Sequence, residues 1–270
     1  MKIKTIVKVM NFHALLHIDA ARRASERYIR MESEVSKIID LVINNRNFIL
    51  DKHALRVDES APVLNIYIGS DYAFCGNMNT VVNAAMREDE DCQKVVIGKK
   101  LRKPEGTLLA IERDELEAEY GRIEELLEES VRDLKHSEIH IVYNHYYYSG
   151  RIALRRKKIY PIVLAGEAEN LYTEDFSLEG DVDELLASLS AVYLSYELRI
   201  ASTNSFAAEN IMRHNATTES LKKIDERMEE MKRAENKRKK QVSFAKVLDS
   251  YTKKRMYRGE TREGGYIENR

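Results

Sequence analysis

The sequence has 270 residues, of which 33% are charged, and its formal net charge is −1. That length accommodates one or two domains, and a charge so near zero provides no overall field for binding nucleic acid or an anionic membrane. The sequence has no run of about 18 apolar residues, the length at which a segment is predicted to span a bilayer. The two cysteines, Cys75 and Cys92, have neither disulfide-framework nor metal-ligand spacing, which is typical of a cytoplasmic protein.

Glycine and proline are distributed in a way that predicts two long helices. Neither residue occurs from Met1 to Ala61 or between Gly180 and Gly259, and all three prolines fall between these tracts. Because both residues break helices, tracts without them can be helical throughout. We therefore predict an N-terminal helix over residues 1–61, a compact domain over 62–180, a C-terminal helix over 181–258 and a flexible tail over 259–270.

The N-terminal helix carries a narrow apolar seam. Steps of three and four residues from Val7 meet an apolar side chain at every position except His17, which is the pattern of a coiled coil with one partner helix. The predicted seam consists of Val7, Met10, Ala14, His17, Ala21, Ala24, Tyr28, Met31, Val35, Ile38 and Val42. His13 and His17 are four residues apart and could share a metal, but no third ligand is near, so we predict no metal site.

The central region predicts a small α/β domain. β-branched and aromatic runs predict strands over 63–69, 94–98 and 139–143, and Pro161 makes a fourth run, 156–164, an edge strand. Apolar residues at helical spacing predict helices over residues 79–87 and 113–134. This alternation favours a Rossmann-like domain with a largely parallel sheet.

The central domain shows no convincing catalytic group. The segment 70–77 follows the first strand, where nucleotide-binding folds place a phosphate loop, but it lacks the glycine spacing and the lysine. Cys75 could act as a nucleophile, although a buried structural thiol is commoner at such a place. His140 and His145 alternate along one strand with aromatic neighbours, which favours a packed sheet edge. We predict neither catalytic residues nor a cofactor.

The C-terminal helix changes character along its length. From 182 to 208 apolar residues occur on nearly all sides, so this half is predicted to be buried against the sheet and the N-terminal helix. Beyond Arg213 only a narrow seam remains, and most other residues are charged. The seam residues of this half are Leu221, Ile224, Met228 and Met231, and a basic run follows over 237–240. The two chain ends together therefore predict an antiparallel two-helix coiled coil.

Three segments resemble the gamma subunit of F-type ATP synthases, the rotating central stalk. Residues 70–79, SDYAFCGNMN, resemble the family's S-D-x-G-L-C-G-G-x-N. Ala207-Ala208, followed by Asn215-Ala216-Thr217, resembles S-E-x-A-A-R-M-x-A-M-x-N-A-T. Asn236-Lys237, then Lys240-Gln241 and Ser243, resembles N-K-x-R-Q-x-x-I-T-x-E-L with one inserted residue. The resemblance covers nearly the whole chain in architecture.

The resemblance implies a non-catalytic rotor shaft. In that family the helix pair stands inside a hexamer of alternating alpha- and beta-type nucleotide-binding subunits, and the α/β domain forms the foot near a membrane ring. The implied partners are this hexamer, an epsilon-type stalk subunit and, where a membrane sector is attached, its rotor ring. The resemblance also implies one copy of the chain per complex and a place at the inner face of the cell membrane. Lys240 and Gln241 would lie where the shaft contacts a catalytic subunit.

The sequence departs from the family at several places. Glu209 and Asn210 stand where the family segment has arginine and methionine, and Asn204 and Ser205 replace its serine and glutamate. The polar end at 251–255 replaces a small apolar tip. These departures indicate a divergent member of the family, or a gamma-like subunit of an F1-like ATPase. A non-rotary coiled-coil adaptor of the same fold and a nucleotide-binding enzyme remain alternatives.

Overall fold

The computed structural model describes residues 2–43, 57–147, 151–162 and 181–263, with side chains described for 3–256 within these ranges. Two compact units are present: a main unit, Thr5–Thr217, and a helical unit made of Met1–Lys4 and Thr218–Arg270. In chain order the elements are α1 (Lys2–Ile43), β1 (Val63–Ile68), α2 (Met78–Glu88), β2 (Cys92–Ile97), β3 (Thr107–Ile111), a 3-10 turn (Arg113–Glu115), α3 (Tyr120–Arg132), β4 (Ile139–Tyr146), β5 (Ile152–Tyr160) and α4 (Val182–Glu263).

The main unit contains one five-stranded sheet of order β3-β2-β1-β4-β5. β1 pairs in parallel with β2 and with β4, and β2 pairs in parallel with β3. β5 pairs antiparallel with β4 at the edge. The predicted α/β domain with a largely parallel sheet is therefore confirmed, and the antiparallel edge strand is the one departure from parallel order among the described strands.

The sheet is covered on both faces. Alternate residues of β1 point to opposite sides, as the pleat of a strand requires. Ile66 and Ile68 join a core with α3 and the first half of α4, whereas Tyr67 joins a smaller core under α2. Ile123, Leu127, Leu194 and Leu198 are all buried in the larger core. The predicted burial of the first half of the C-terminal helix is confirmed, and its cause is this packing against the sheet.

The prediction that the N-terminal helix reaches Ala61 was wrong. α1 is described to Ile43, residues 44–56 lie outside the described part, and residues 57–62 are not helical. The Asp58 side chain accepts hydrogen bonds from the Ser60 backbone N–H at 2.9 Å and the Ser60 hydroxyl at 2.6 Å, and Ala61 N–H donates to the Asp58 carbonyl. Such an aspartate-centred turn competes with helix without any glycine or proline.

Four other predictions of element position needed correction. β3 was missed, because its five residues form a short apolar run without clear alternation. β5, predicted over 156–164, begins at Ile152 and ends at Tyr160, directly before Pro161. The helix predicted over 113–134 is divided into the 3-10 turn and α3. At the other end of the chain, α4 continues to Glu263, past the predicted start of a flexible tail.

Candidate functional site: the helix pair and the exposed helix

α1 and the first part of α4 pack side by side and run in opposite directions. As the residue number rises along α1, the number of the contacting residue on α4 falls. The contacting pairs are Asn11 with His214, His17 with Phe206, Tyr28 with Tyr196, and Ile39 with Leu186. The antiparallel helix pair predicted from the sequence is thereby confirmed within the main unit.

The seam of α1 repeats every seven residues, but half of its positions differ from the prediction. None of the residues reached by alternate steps of four and three from Val7 is exposed. These residues are Val7, Asn11, Ala14, Ile18, Ala21, Ser25, Tyr28, Glu32, Val35, Ile39 and Val42. The predicted series stepped three first, and so substituted the preceding neighbour at every second position. Of those neighbours, His17, Met31 and Ile38 are exposed.

Some of the seam residues that the prediction missed are polar, and Asn11 among them is hydrogen-bonded to α4. The Asn11 side-chain amide donates to the His214 carbonyl at 3.1 Å and to the Thr217 hydroxyl at 2.9 Å. An apolar count passes over such positions, which explains the error. A polar residue in a helical seam specifies the register of the two helices, at some cost in stability.

Glu32 occupies a second polar seam position and belongs to a charged network. Burial, followed by the charge of Glu197, raises the pKa of the Glu32 carboxyl, while Lys157 and a hydrogen bond with Tyr193 oppose the shift. The Lys157 ammonium lies 2.5 Å from a Glu197 carboxylate oxygen, and the Tyr193 hydroxyl donates to Glu197 at 3.3 Å. This network joins α1, α4 and β5 through buried Glu197 and three half-buried groups.

The predicted seam residues of α1 divide into two groups. Ala21 is buried, and Met10, Tyr28 and Val35 are half-buried, so the structure brings these four to the helix pair. Met31 is 42% exposed and lies off the seam. The alternation of three and four was correct, whereas the choice between Met31 and Glu32 required knowledge of the partner helix.

In the helical unit the predicted seam is formed only in part. Leu221 and Ile224 are half-buried. Met228 and Met231 are 45% and 67% exposed, so their assignment to a seam within this chain was wrong. Lys4, near the start of α1, already forms an ion pair with Asp225. Both methionines follow Asp225 along α4, in a segment whose described side chains are exposed.

From Asp225 to Met256 every side chain of α4 is exposed, although several are large and apolar. Phe244, Val247, Leu248 and Tyr251 are separated by three, one and three residues, so they form one stripe along the helix. We call these four residues the apolar stripe. Lys240 and Gln241, the predicted contact residues, are exposed one turn before it.

The loop that carries the first family-like motif is held by its own side chains. The Asn79 side chain accepts from the Ser70 N–H at 2.9 Å and donates to the Ser70 hydroxyl at 2.8 Å. Buried Asp71 accepts from the backbone N–H of Lys99 at 2.6 Å and of Asp114 at 3.1 Å. The motif therefore ties the ends of β1, β2 and β3 together, which gives its serine, aspartate and asparagine a structural role.

α4 is anchored to the domain by a buried ion-pair cluster that sequence reasoning missed. Glu209 is 1% exposed and lies between Arg113, at 3.3 Å, and Arg213. The Arg113 guanidinium also donates to the Ser202 carbonyl at 2.9 Å and lies over the Phe206 ring. Burial lowers the pKa of Arg113, and the carboxylate of Glu209 opposes that shift. No sequence signal links Arg113 with a residue 96 positions away.

Groups suited to metal binding or membrane insertion are absent from the described residues. No set of three or more His, Cys, Asp and Glu side chains there could hold a metal ion. The rings of His13 and His17 have centroids 6.4 Å apart, and the His17 ring also contacts Phe206 of α4. None of the described helices is both long and apolar enough to cross a membrane.

The fold and its surface define a class of protein: an α/β domain that carries a paired-helix stem, with a long helix whose apolar stripe is exposed. A family model described as ATP synthase matches residues 1–243. The ATP synthase gamma chain of Clostridium perfringens (strain SM101) is 25% identical over 239 residues, which are 83% of this chain and 82% of that one. The gamma chain of Clostridium novyi (strain NT) is 28% identical over 231 residues, 79% of each chain.

Solved structures with the same fold come from two mitochondrial ATP synthases. A chain of the Tetrahymena thermophila central stalk and c-ring structure has a TM-score of 0.58 at 16% identity, covering 80% of this chain and 99% of its own. A chain of the Euglena gracilis OSCP/F1/c-ring structure has a TM-score of 0.52 at 16% identity, covering 94% and 98%. The chain belongs to the ATP synthase gamma family.

Proposed function

We propose that this chain is the central-stalk, or rotor-shaft, subunit of a rotary F-type or F1-like ATPase. The observation that carries the proposal is the apolar stripe, which stands on a helix whose side chains are exposed from Asp225 to Met256. A continuous exposed apolar surface is typical of a protein-protein interaction site. Membership of the gamma family supports a nucleotide-binding hexamer as the protein that covers it.

The chain itself contributes structure rather than chemistry in this proposal. Polar and charged groups of the main unit, such as Asp71, Glu197 and Glu209, form ion pairs or bonds to backbone within the fold. Rotation of an asymmetric shaft would then change which hexamer site is open, and ATP synthesis or hydrolysis would belong to the complex.

Lys240 and Gln241 are proposed to contact a catalytic subunit. Both are exposed and adjoin the apolar stripe, in a segment where basic residues predominate. Charged residues at the rim of an interface chiefly affect orientation and the rate of association. We therefore assign the apolar stripe to affinity and Lys240 to the recognition of acidic loop residues.

The remaining partners follow from the family and not from a described contact. We propose that the α/β domain faces an epsilon-type stalk subunit and, where a membrane sector is present, its rotor ring. One copy of the chain would serve one hexamer, because a single shaft occupies its axis. The complex would lie at the inner face of the cell membrane.

The proposal is tested by co-expressing the tagged chain with the alpha- and beta-type subunits of the same organism. Replacing Val247 and Leu248 by glutamine should lower recovery of an ATP-hydrolysing hexamer by more than about tenfold, since each buried aliphatic side chain contributes about 1.5–3 kcal/mol. The matched control replaces Lys246 and Asp249, on the other side of the same turn, by glutamine and should retain the hexamer.

A rotation assay distinguishes a rotor shaft from a non-rotary adaptor. With the hexamer fixed to a surface and a bead attached to the α/β domain, ATP should drive turning of the bead. A hexamer that binds the chain and hydrolyses ATP without turning it would instead identify a non-rotary adaptor. Failure of the wild-type chain to recover any hexamer would overturn the rotor-shaft proposal and favour the adaptor.

A further inference from the structure

A cleft of about 490 Å³ lies on the α2 side of the sheet, away from the helix pair. It is lined by the end of α2, by β2 and by the loop before β3. Two interactions hold that loop: the Arg102 N–H donates to the Asn83 side chain at 2.9 Å, and the Thr107 hydroxyl donates to the Pro104 carbonyl at 2.7 Å. The volume falls within the range of small-molecule sites, about 300–1,000 Å³.

Lys94 of β2 lines this cleft and is 5% exposed. Its ammonium makes one hydrogen bond among the described residues, to the Cys92 carbonyl oxygen at 3.4 Å. An ammonium can donate three hydrogen bonds, and a buried charge is costly unless it is paired. The cleft therefore contains a buried positive charge with most of its hydrogen-bonding capacity unused.

The surroundings of Lys94 favour an anion as its missing partner. Arg87, Arg102 and Lys103 line the same cleft and are exposed. Three carboxylates, Asp89, Glu90 and Glu105, also line it. The Asp89 carboxylate is already engaged outside the cleft, because it accepts from the Tyr67 hydroxyl and from Arg156, each at 2.5 Å. Glu90 and Glu105 are exposed and make no such bond with the described residues, so the four bases of the cleft face two remaining carboxylates.

We propose that this cleft binds a small phosphate-bearing metabolite, with Lys94 contacting the phosphate from the floor and Arg102 and Lys103 contacting it from the rim. Guanidinium and ammonium groups are the side chains that recognise phosphate in proteins. Met86 and Pro104 supply an apolar wall against which an organic part of the ligand would pack.

The test titrates the purified full chain with pyrophosphate and, separately, with ATP, both without magnesium, by calorimetry at low salt. Binding of either probe, weakened by at least about tenfold in Lys94→Met, supports the site. Methionine keeps most of the aliphatic volume and removes the charge, so the variant should melt no lower than the wild type. Lys135→Met, which changes an exposed lysine beyond α3, is the matched control and should bind both probes normally.

A second variant, Arg102→Gln with Lys103→Gln, changes only exposed side chains and covers the case in which Lys94→Met does not fold. It should weaken binding of both probes as well. Tighter binding of ATP than of pyrophosphate would identify a nucleotide ligand, and equal binding would identify the phosphate groups alone as the recognised part. Absence of binding up to about 5 mM for both probes, or binding unchanged in the Lys94 and rim variants, would overturn the proposal.

Discussion

Glu209 shows how a single departure from the family segment is accommodated. A carboxylate stands where the resembling segment has arginine, and it is almost fully buried. Two cations flank it, Arg113 from the domain and Arg213 one turn later on α4. The charge is thus matched within the fold.

Removing Glu209 should destabilise the main unit strongly. In Glu209→Leu the two arginines lose their shared carboxylate, and breaking a buried pair typically costs about 3–5 kcal/mol because an uncompensated charge remains buried. Urea unfolding followed by circular dichroism measures this loss. Glu219→Gln breaks an exposed pair with Lys223 on the same helix and should leave the unfolding midpoint unchanged. Equal midpoints for the two variants would contradict the role assigned to Glu209.

The sequence alone predicted that position 209 is unusual but not why. The reason lies in Arg113, which follows β3, a strand that the apolar pattern did not reveal. By contrast, the segment 70–79 was singled out by its resemblance to a family motif, and Ser70 and Asn79 bond to each other within it. Asp71 of the same segment instead bonds to the distant backbone of Lys99 and Asp114. Contacts between residues close in the sequence can be predicted from a local motif. Contacts between residues far apart in the sequence can be predicted only once the order of the strands is known.

At the scale of elements, α1 shows the limit of reading a seam from apolar residues. The spacing was correct because the heptad repeat is a property of helix geometry. About half of the predicted seam positions were wrong, partly because Asn11, Ser25 and Glu32 are polar and yet face α4 or the core. Their hydrogen-bonding partners on α4, His214, Thr217 and Tyr193, are not apparent from α1 itself.

Two adjacent isoleucines distinguish the observed seam of α1 from the predicted seam. Ile39 is fully buried and Ile38 is 47% exposed. Ile39→Ala should lower the free energy of unfolding by about 2–5 kcal/mol, because it leaves a cavity beside Val42 and Leu186. Ile38→Ala should change it by less than about 0.5 kcal/mol. Chemical denaturation of both variants measures the difference. A larger loss of unfolding free energy for Ile38→Ala would favour the predicted seam instead.

At the scale of the whole molecule, the absence of glycine and proline was the most informative signal. It predicted both long helices, and the alternation between them predicted the α/β domain. It could not predict where α1 ends, since the turn at Asp58 uses neither residue. It also could not show that Met228 and Met231 are exposed, because that depends on which residues lie opposite them.

Shortening the chain should separate stability from assembly. A chain ending at Arg227 loses only side chains that are exposed where they are described. Its main unit should therefore melt at the same temperature as in the full chain, by differential scanning calorimetry, while recovery of the hexamer is lost. A chain ending at Asn204 also loses buried Ala208 and Glu209 and should not fold. A lower melting temperature for the longer truncation would show that residues 228–270 support the main unit.

The hydrogen-bonded seam has a mechanical consequence for a shaft under load. Sliding α1 along α4 by one heptad would keep small and apolar residues in the seam and would cost little if every seam residue were apolar. Here it would move Glu32 from Tyr193 to Leu186 and Asn11 from His214 to Ala207. A half-buried carboxylate and a half-buried amide would lose their partners together. Shear along the stem is thus opposed at discrete points, so a twisting force is transmitted by the two helices without axial slip.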